Sequence, residues 1–579
     1  MDYMKHYEGW LQSTYFDEAT KEELKGIKGN DKEIQERFYK DLEFGTGGLR
    51  GILGAGSNRM NIYTVRKATQ GLANYISQEG DKAKKQGVAI AYDSRRMSPE
   101  FADEAALVLA ANGIKAYVFE SLRPTPVLSF AVRQLGCIAG IVVTASHNPP
   151  EYNGYKVYWE DGAQVTSPKD EDIITEVSKV EDYATVKTMD KEKAMAEGLY
   201  QVIGKEIDDL YIAELKKLVI DQEVIKKEAD DFTIVYTPLH GTGNIPVRTI
   251  LKEIGFTKVE VVKEQELPDG NFPTVSYPNP EDIKAFELAI KLGKEKNADV
   301  ILATDPDADR LGVLAKNAEG AFVPLTGNMV GVLLLDYILS RKQEKGQLPK
   351  NGIVVETIVS TNMVGAIAKH FDVAMVETLT GFKYIGEKIK EYEESGEYEY
   401  LFGFEESYGC LIGTHARDKD AVVATMGVCE LAAFYKSKGI TLYEALVALY
   451  EKYGYYKESL ESLTLKGIEG IEKIEHILTT LRTTPPTELN GVKVVEARDY
   501  EHDQIKNLLT GQVRPTGLPK SNVLYFDLED ESWLCIRPSG TEPKVKFYFG
   551  VKGSSMEDAD AKMESFTKAM MTKIEEIAK

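Results

Sequence analysis

The sequence predicts an α/β protein, built from repeated strand–helix units and closed by a smaller α+β domain. Three observations carry this expectation. Short apolar β-branched runs alternate with helical stretches, the pattern of parallel sheets. The alternation restarts twice after charged or polar segments. Beyond residue 454 it gives way to short strands of alternating hydrophobicity between helices, which suits an antiparallel sheet. At 579 residues the chain is long enough for about four domains of ~150 residues. The expected divisions are 1–205, 206–322, 323–456 and 457–579.

Residues 1–43 read as an amphipathic helical lead-in. The glycine cluster Phe44-Gly45-Thr46-Gly47-Gly48-Leu49-Arg50-Gly51 follows. It reads either as a flexible loop or as an anion-binding loop with Arg50 as its clamp. A helix over residues 64–75 leads to a strand at 88–92, closed by Asp93-Ser94-Arg95-Arg96. A second strand at 115–120 runs into Arg123-Pro124-Thr125-Pro126. The third strand is Ile141-Val142-Val143, and it stops in Thr144-Ala145-Ser146-His147-Asn148-Pro149-Pro150. Ligands of open α/β sheets sit at the carboxyl ends of strands, so Ser146 stands where a nucleophile is useful. On this stretch alone, backbone hydrogen bonding is the more ordinary role for such a serine. Residues 167–197 are highly charged and read as peripheral. Strands at 233–236, 259–262 and 299–304 form the second unit, and strands at 353–357, 373–377 and 400–402 the third. A helix at 471–481, strands at 523–526 and 545–549 and a final charged helix complete the chain.

Hydrophobic residues make up 43% and charged residues 28%, ordinary values for a globular protein. The net charge of −22 argues against general nucleic-acid binding and against anionic membranes. No run reaches the ~18 apolar residues of a membrane span, and no signal peptide is evident. Cys137, Cys410, Cys429 and Cys535 are far apart, which suits free thiols in the cytoplasm.

Three further loops carry chemistry. Asp305-Pro306-Asp307-Ala308-Asp309-Arg310 sets three carboxylates at alternate positions after an apolar strand, a pattern that calls for a hard divalent cation such as Mg²⁺. An EF-hand is excluded, because Arg310 and Lys316 stand where it needs Gly and Glu. Gly403-Phe404-Glu405-Glu406-Ser407 reads equally as a solvated acidic turn or as an acceptor of sugar hydroxyls, with His415, Arg417 and Lys419 close behind. Arg537-Pro538-Ser539-Gly540-Thr541 offers a guanidinium, two hydroxyls and an approachable amide, a phosphate cradle. Neither a P-loop nor a dinucleotide fingerprint is present, and Ser146 lacks the hydrolase elbow.

In this order, Thr-Ala-Ser-His-Asn-Pro, Asp-x-Asp-x-Asp-Arg, Glu-Glu-Ser and Arg-Pro-Ser-Gly-Thr resemble the α-D-phosphohexomutase superfamily, in particular its bacterial phosphoglucomutase and phosphopentomutase branch. The resemblance covers nearly the whole chain. It implies three related α/β domains with mixed, largely parallel sheets and a mobile C-terminal α+β domain, around a central cleft. It implies that Ser146 carries a phosphoryl group. Asp305, Asp307 and Asp309 would bind one Mg²⁺ per chain together with an oxygen on Ser146. Glu405 and Ser407 would hold sugar hydroxyls. Thr380 and Gly381, in Thr380-Gly381-Phe382-Lys383, would help choose the sugar's orientation. Arg537, Ser539, Gly540 and Thr541 would hold the idle phosphate. Arg50, Lys156, Arg310 and Lys419 would stabilise charge or transfer protons, with Lys156 the first candidate for the proton. The implied reaction interconverts glucose 1-phosphate and glucose 6-phosphate through glucose 1,6-bisphosphate, in a cytoplasmic monomer or homodimer. The alternatives are a pentose 1-phosphate substrate and a non-catalytic phosphosugar-binding paralogue. The chain departs from the family pattern at Pro306 and Ala308, where glycines are common, and at the Gly-Phe-Glu-Glu start of the sugar loop.

Overall fold

A computed structural model describes the chain except residues 1, 46–47, 466, 539–543 and 579. Two compact units are present, Met1–Val330 with Phe382–Leu442, and Gly331–Gly381 with Tyr443–Lys579.

The first unit opens with three capped helices, Tyr3–Gln12, Glu18–Gly26 and Asp31–Phe38. Asp2, Asp17 and Asn30 accept from backbone amides of the first turns, satisfying donors that have no partner inside a helix. Their apolar faces meet in an aromatic cluster of Tyr7, Trp10, Phe16, Phe38 and Tyr63, with Trp10 and Phe16 stacked at 4.0 Å.

The first sheet has six strands in the order Gly48–Ile52, Tyr152–Trp159, Ala139–Val143, Val88–Tyr92, Ala116–Phe119, Tyr200–Ile203. The last four pair in parallel. Gly48–Ile52 and Tyr152–Trp159 add antiparallel. Ala139–Val143 is buried at every position, the signature of a central strand covered on both faces. Three strands depart from the sequence expectation. The glycine cluster is not a loop around Arg50, which lies within Gly48–Ile52. There the glycines answer a packing demand: a Cβ on Gly48 would lie 1.9 Å from the Tyr155 carbonyl oxygen. Tyr152–Trp159 is interrupted by Asn153 and Gly154 and escapes notice by pattern. Tyr200–Ile203, just past the charged stretch, supplies the sheet's far edge.

Helix Ile62–Gln78 is fixed by a capping box, in which the Asn61 side chain accepts from Thr64 N and Thr64 Oγ1 from Asn61 N. Helix Thr125–Leu135 starts with proline in its first turn and stops at Gly136, φ +65°, a residue suited to the left-handed C-terminal position.

The second sheet runs Phe322–Leu325, Leu311–Lys316, Val300–Thr304, Ile234–Thr237, Val259–Val261. Its last three strands are parallel and its first two antiparallel. The first unit also contains helix Phe382–Ser395, the antiparallel pair Glu399–Phe404 and Cys410–Ile412, and helix Ala421–Ser437, whose N-cap is Asp420.

In the second unit Gly352–Thr357 and Ala374–Thr378 pair in parallel. The C-terminal sheet is antiparallel throughout, in the order Tyr455–Thr464, Lys544–Gly553, Trp533–Pro538, Leu524–Leu528, Val492–Asp499, Gln504–Asn507, Val513–Arg514. Helices Gly467–Thr483 and Met556–Ile577 supply Ile477, Leu481, Phe566 and Met570 to its core. Among the described residues, no helix is long and apolar enough to cross a membrane.

Candidate active site

Ser146 follows the buried strand Ala139–Val143 and adopts φ +50°, a conformation that costs a non-glycine residue about 1 kcal/mol. Its side chain is almost wholly buried, at 3% exposure. Ser146 Oγ donates to Asp305 Oδ2 at 2.7 Å and lies 3.2 Å from His147 Nδ1. Its amide donates to Thr144 Oγ1 at 2.8 Å.

The opposing loop follows Val300–Thr304. Asp305, Asp307 and Asp309 are buried, and one oxygen from each falls within 4.8 Å of the others. Asp305 Oδ1 accepts from the amides of Asp309 and Arg310 at 3.1 Å each, which folds the loop back on itself. Ala308 sits at φ +50°. The glycine common at this place in the family would adopt that angle freely, so the alanine carries strain but leaves all three carboxylates in position. Burial and the neighbouring Asp307 and Asp309 charges push the Asp305 carboxyl well above its ordinary range. Burial acts the same way on Asp307, but Lys156 and the hydroxyl of Thr125 outweigh it and hold that carboxyl low.

Two lysines close the cluster. Lys156 Nζ is 3.1 Å from Asp307 Oδ2 and 3.7 Å from Asp309 Oδ2. Lys419 Nζ is 3.1 Å from Asp309 Oδ2 and 3.0 Å from Asp418 Oδ1. Burial works against the Lys419 charge, yet Asp309, Asp418 and Glu405 keep its ammonium firmly protonated. Arg310 reaches Glu281 at 2.5 Å, with its Nε 3.8 Å from Asp309. Arg50 donates to Asn148 Oδ1 at 3.1 Å, which ties its strand to the serine loop. Burial drives Glu405 up, against Lys419 and Arg310. Burial, with Arg310 and Arg50, keeps the His147 imidazole neutral.

The donor set fits a hard divalent cation. Asp307 Oδ1 and Asp309 Oδ1 are buried and have no hydrogen-bond partner among the described residues. Such anionic oxygens are costly unless something cationic meets them, and Asp309 Oδ1 has Arg310 Nε at 3.8 Å, beyond hydrogen-bond distance. Carboxylate oxygens alone, with no cysteine or histidine among the three, suit Mg²⁺.

The structure therefore brings together Ser146, Lys156, Asp305, Asp307, Asp309, Arg310, Arg50, Lys419 and Glu405. Ser407 lies in the turn between Glu399–Phe404 and Cys410–Ile412. Thr380, Gly381 and Arg537 belong to the second unit. The first two follow strand Ala374–Thr378, with Gly381 at φ +123°, and Arg537 lies on Trp533–Pro538 opposite Lys546. Ser539, Gly540 and Thr541 lie outside the described residues.

Several contributors escape a reading of the sequence alone. Thr125 donates through Oγ1 to Asp307 Oδ2 and through its amide to Asp307 O, both at 2.9 Å. Thr242 gives its amide and hydroxyl to Pro306 O at 2.8 Å each. Beside it Gly241 has no room for a side chain, since a Cβ would lie 2.5 Å from Pro306 Cα. The hydroxyl flanked by two glycines in Gly241-Thr242-Gly243, just after a strand, was the available signal.

This serine faces a carboxylate triad from a neighbouring α/β domain. Models of α/β/α domains I, II and III of phosphoglucomutase/phosphomannomutase match residues 41–184, 209–320 and 326–453, and the chain belongs to that family. It is 38% identical over 523 residues to a phosphoglucomutase of Staphylococcus epidermidis, covering 89% of this chain and 92% of that one. It is 37% identical over 536 residues to a phosphoglucomutase of Staphylococcus aureus, covering 93% and 94%. Among solved structures, the phosphoglucomutase pp63/parafusin of Paramecium superposes with a TM-score of 0.68 at 20% identity, covering 93% and 95%. A Thermus thermophilus protein described as a phosphomannomutase gives 0.67 at 21%, covering 93% and 99%. At those identities the structural matches speak for the fold.

Proposed function

We propose that the chain is a phosphoglucomutase, which interconverts glucose 1-phosphate and glucose 6-phosphate through phosphorylated Ser146 and a glucose 1,6-bisphosphate intermediate. The observation that carries this reading is the 2.7 Å contact between Ser146 Oγ and Asp305 Oδ2, beside two carboxylates that each keep an oxygen without a hydrogen bond among the described residues. The staphylococcal relatives support glucose as the sugar, as does the Glu405-Glu406-Ser407 sequence by resemblance.

In the first half-reaction the bond between phosphorus and Ser146 Oγ breaks as a bond to the free sugar hydroxyl oxygen forms. The hydroxyl proton leaves to a base. After the bisphosphate turns over, the other phosphate returns to Ser146. Little covalent work falls to the protein, and positioning with charge stabilisation dominates. Asp305, Asp307 and Asp309 would hold Mg²⁺, which offsets phosphoryl charge when bound. Lys419, Arg310 and Arg50 add fixed positive charge around the serine. Lys156 is our candidate for the proton; paired with Asp307 as an ammonium, it must first release a proton, and only as the neutral amine does it take the hydroxyl's. Glu405 and Ser407 would hold sugar hydroxyls, Thr380 and Gly381 would select the sugar's orientation, and Arg537 with Ser539, Gly540 and Thr541 would hold the idle phosphate.

The test is turnover of glucose 1-phosphate with Mg²⁺ and a trace of glucose 1,6-bisphosphate. Wild type is expected to form glucose 6-phosphate, and Ser146→Ala to lose at least ~10³-fold in kcat, as loss of a covalent nucleophile does. Near-normal turnover by Ser146→Ala overturns the assignment. A wild type that turns over ribose 1-phosphate but not glucose 1-phosphate moves the substrate to a pentose. A wild type that binds sugar phosphates without turning over either is a binding protein.

A further inference from the structure

The turn at residues 93–96 closes the strand next to the serine strand, and the chemistry above leaves it without a role. Its Arg95 side chain is fully buried, at 0% exposure. Both terminal nitrogens are spent on backbone carbonyls of the serine loop. Nη2 donates to Ser146 O and Asn148 O at 2.5 Å each, and Nη1 to Pro149 O and Tyr152 O at 2.8 and 3.1 Å. Arg95 Nε faces Asp93 Oδ2 at 3.3 Å. Asp93 Oδ2 accepts from Thr144 Oγ1 at 2.6 Å, and Thr144 Oγ1 accepts from Ser146 N at 2.8 Å. The carbonyl of Ser146 and its amide are therefore tied to one Asp93–Arg95 pair, from opposite ends of a residue held at φ +50°. A planar fork of donors meets four carbonyls in a way that an ammonium cannot.

The same guanidinium lies 5.1 Å from the ring centre of Phe272, in the second α/β domain. Close by, a Cβ on Gly270 would come within 2.6 Å of Arg96 N and 2.8 Å of Ser94 O. The turn is thus where the domain of the aspartate loop is pressed onto the domain of the serine.

We propose that Arg95 is a positioning residue. It holds the backbone of Ser146 in its left-handed conformation, so that Oγ points at Asp305, and through Phe272 it ties that aim to the second domain. The proposal rests on Ser146 as phosphoryl carrier. Arg95 touches no reacting atom and acts through main-chain carbonyls.

The experiment compares full-length wild type, Arg95→Lys, Arg95→Ala and Phe272→Leu in glucose 1-phosphate turnover, with wild type and Arg95→Ala also assayed with added guanidinium ion at non-denaturing concentration. Arg95→Lys is expected to lose about 10²-fold in kcat, the scale of an ångström of misplacement, with KM unchanged within about threefold. Guanidinium ion is expected to restore at least about tenfold to Arg95→Ala, whose truncation leaves room for it, and nothing to wild type. A loss of folding alone gives neither that rescue nor that split between kcat and KM. Phe272→Leu, which leaves every Arg95 hydrogen bond intact, is expected to lower kcat a few-fold at constant KM. It keeps the test decisive if Arg95→Lys does not fold. Unchanged kcat in Arg95→Lys or Phe272→Leu overturns the proposal, as does a loss in Arg95→Ala without rescue. Peptide-level mass spectrometry, which locates the phosphoryl group, separates this from the underlying reading. Wild type phosphorylated elsewhere than Ser146 removes both, whereas wild type phosphorylated on Ser146 beside a fully active Arg95→Lys removes the role of Arg95 alone.

Discussion

Thr125 shows how the site depends on side chains that are not ligands. Its hydroxyl aims Asp307 Oδ2 and leaves Oδ1 bare, so the carboxylate is oriented before any cation arrives. Groups that orient ligands typically contribute 10–100-fold to metal affinity. Thr125→Val keeps the shape and removes the donor. The Mg²⁺ concentration for half-maximal turnover is expected to rise about tenfold or more, with activity regained at high Mg²⁺. A metal titration of turnover checks this, and an unchanged titration curve would refute it. Arg95 and Thr125 were illegible in the sequence for one physical reason. Arg95 bonds carbonyls some fifty residues away, and Thr125 bonds a carboxylate 182 residues away, and nothing in either local pattern records such partners. The three aspartates and Ser146 were legible because local patterns betray them: alternate acids after an apolar strand, and a polar break after a buried one.

At the scale of elements, capping and strand burial account for most of what was foreseeable. Ala139–Val143 and the starts of Val300–Thr304 and Gly352–Thr357 are apolar β-branched runs and read directly as strands. Tyr152–Trp159 does not, because it mixes Asn153, Gly154 and Lys156 with aromatics and faces the site on one side. Gly48–Ile52 is hidden by glycines, where close approach to Tyr155 and Lys156 outweighs β propensity. Helix Ile62–Gln78 was visible, and its start has a measurable cause. Asn61 caps the helix through Oδ1 and also donates from Nδ2 to the carbonyls of Gly54 and Gly56, both at 2.9 Å. Asn61→Ala is expected to lower unfolding stability by about 1–2 kcal/mol. A shifted denaturation midpoint would show this, and no shift would mean the cap contributes nothing.

At the scale of the whole molecule, the second unit carries a charge arrangement with a pH signature. Glu356 and Glu377 face each other across the parallel strand pair Gly352–Thr357 and Ala374–Thr378. Arg498, itself bidentate to Asp527, lies 3.4 Å from Glu377. Burial pushes the Glu356 carboxyl well above the usual glutamate range, and the Glu377 charge pushes the same way. The folded state thus binds a proton that the unfolded chain has released. The resulting stability is fully present below the ordinary glutamate value of about 4.3. It is lost as pH rises towards the raised value, since unfolding then leaves fewer protons bound than folding does. Glu356→Gln mimics the protonated form and is expected to flatten the decline in stability as pH rises above the ordinary glutamate value of about 4.3. Equal slopes for wild type and variant would show that Glu356 is ionised.

The first unit is discontinuous: its chain leaves at Val330 and resumes at Phe382. A polypeptide still on the ribosome, emerged only as far as Val330, already possesses the serine and the aspartate triad. It lacks Lys419, which sits against Asp309, and Ala421, whose amide bonds the Ala308 carbonyl at 3.1 Å. Until the later stretch appears, like charges at Asp305, Asp307 and Asp309 are short of one of their two lysine partners. Order of synthesis therefore becomes order of assembly, and the reactive centre is among the last parts of this unit to be completed.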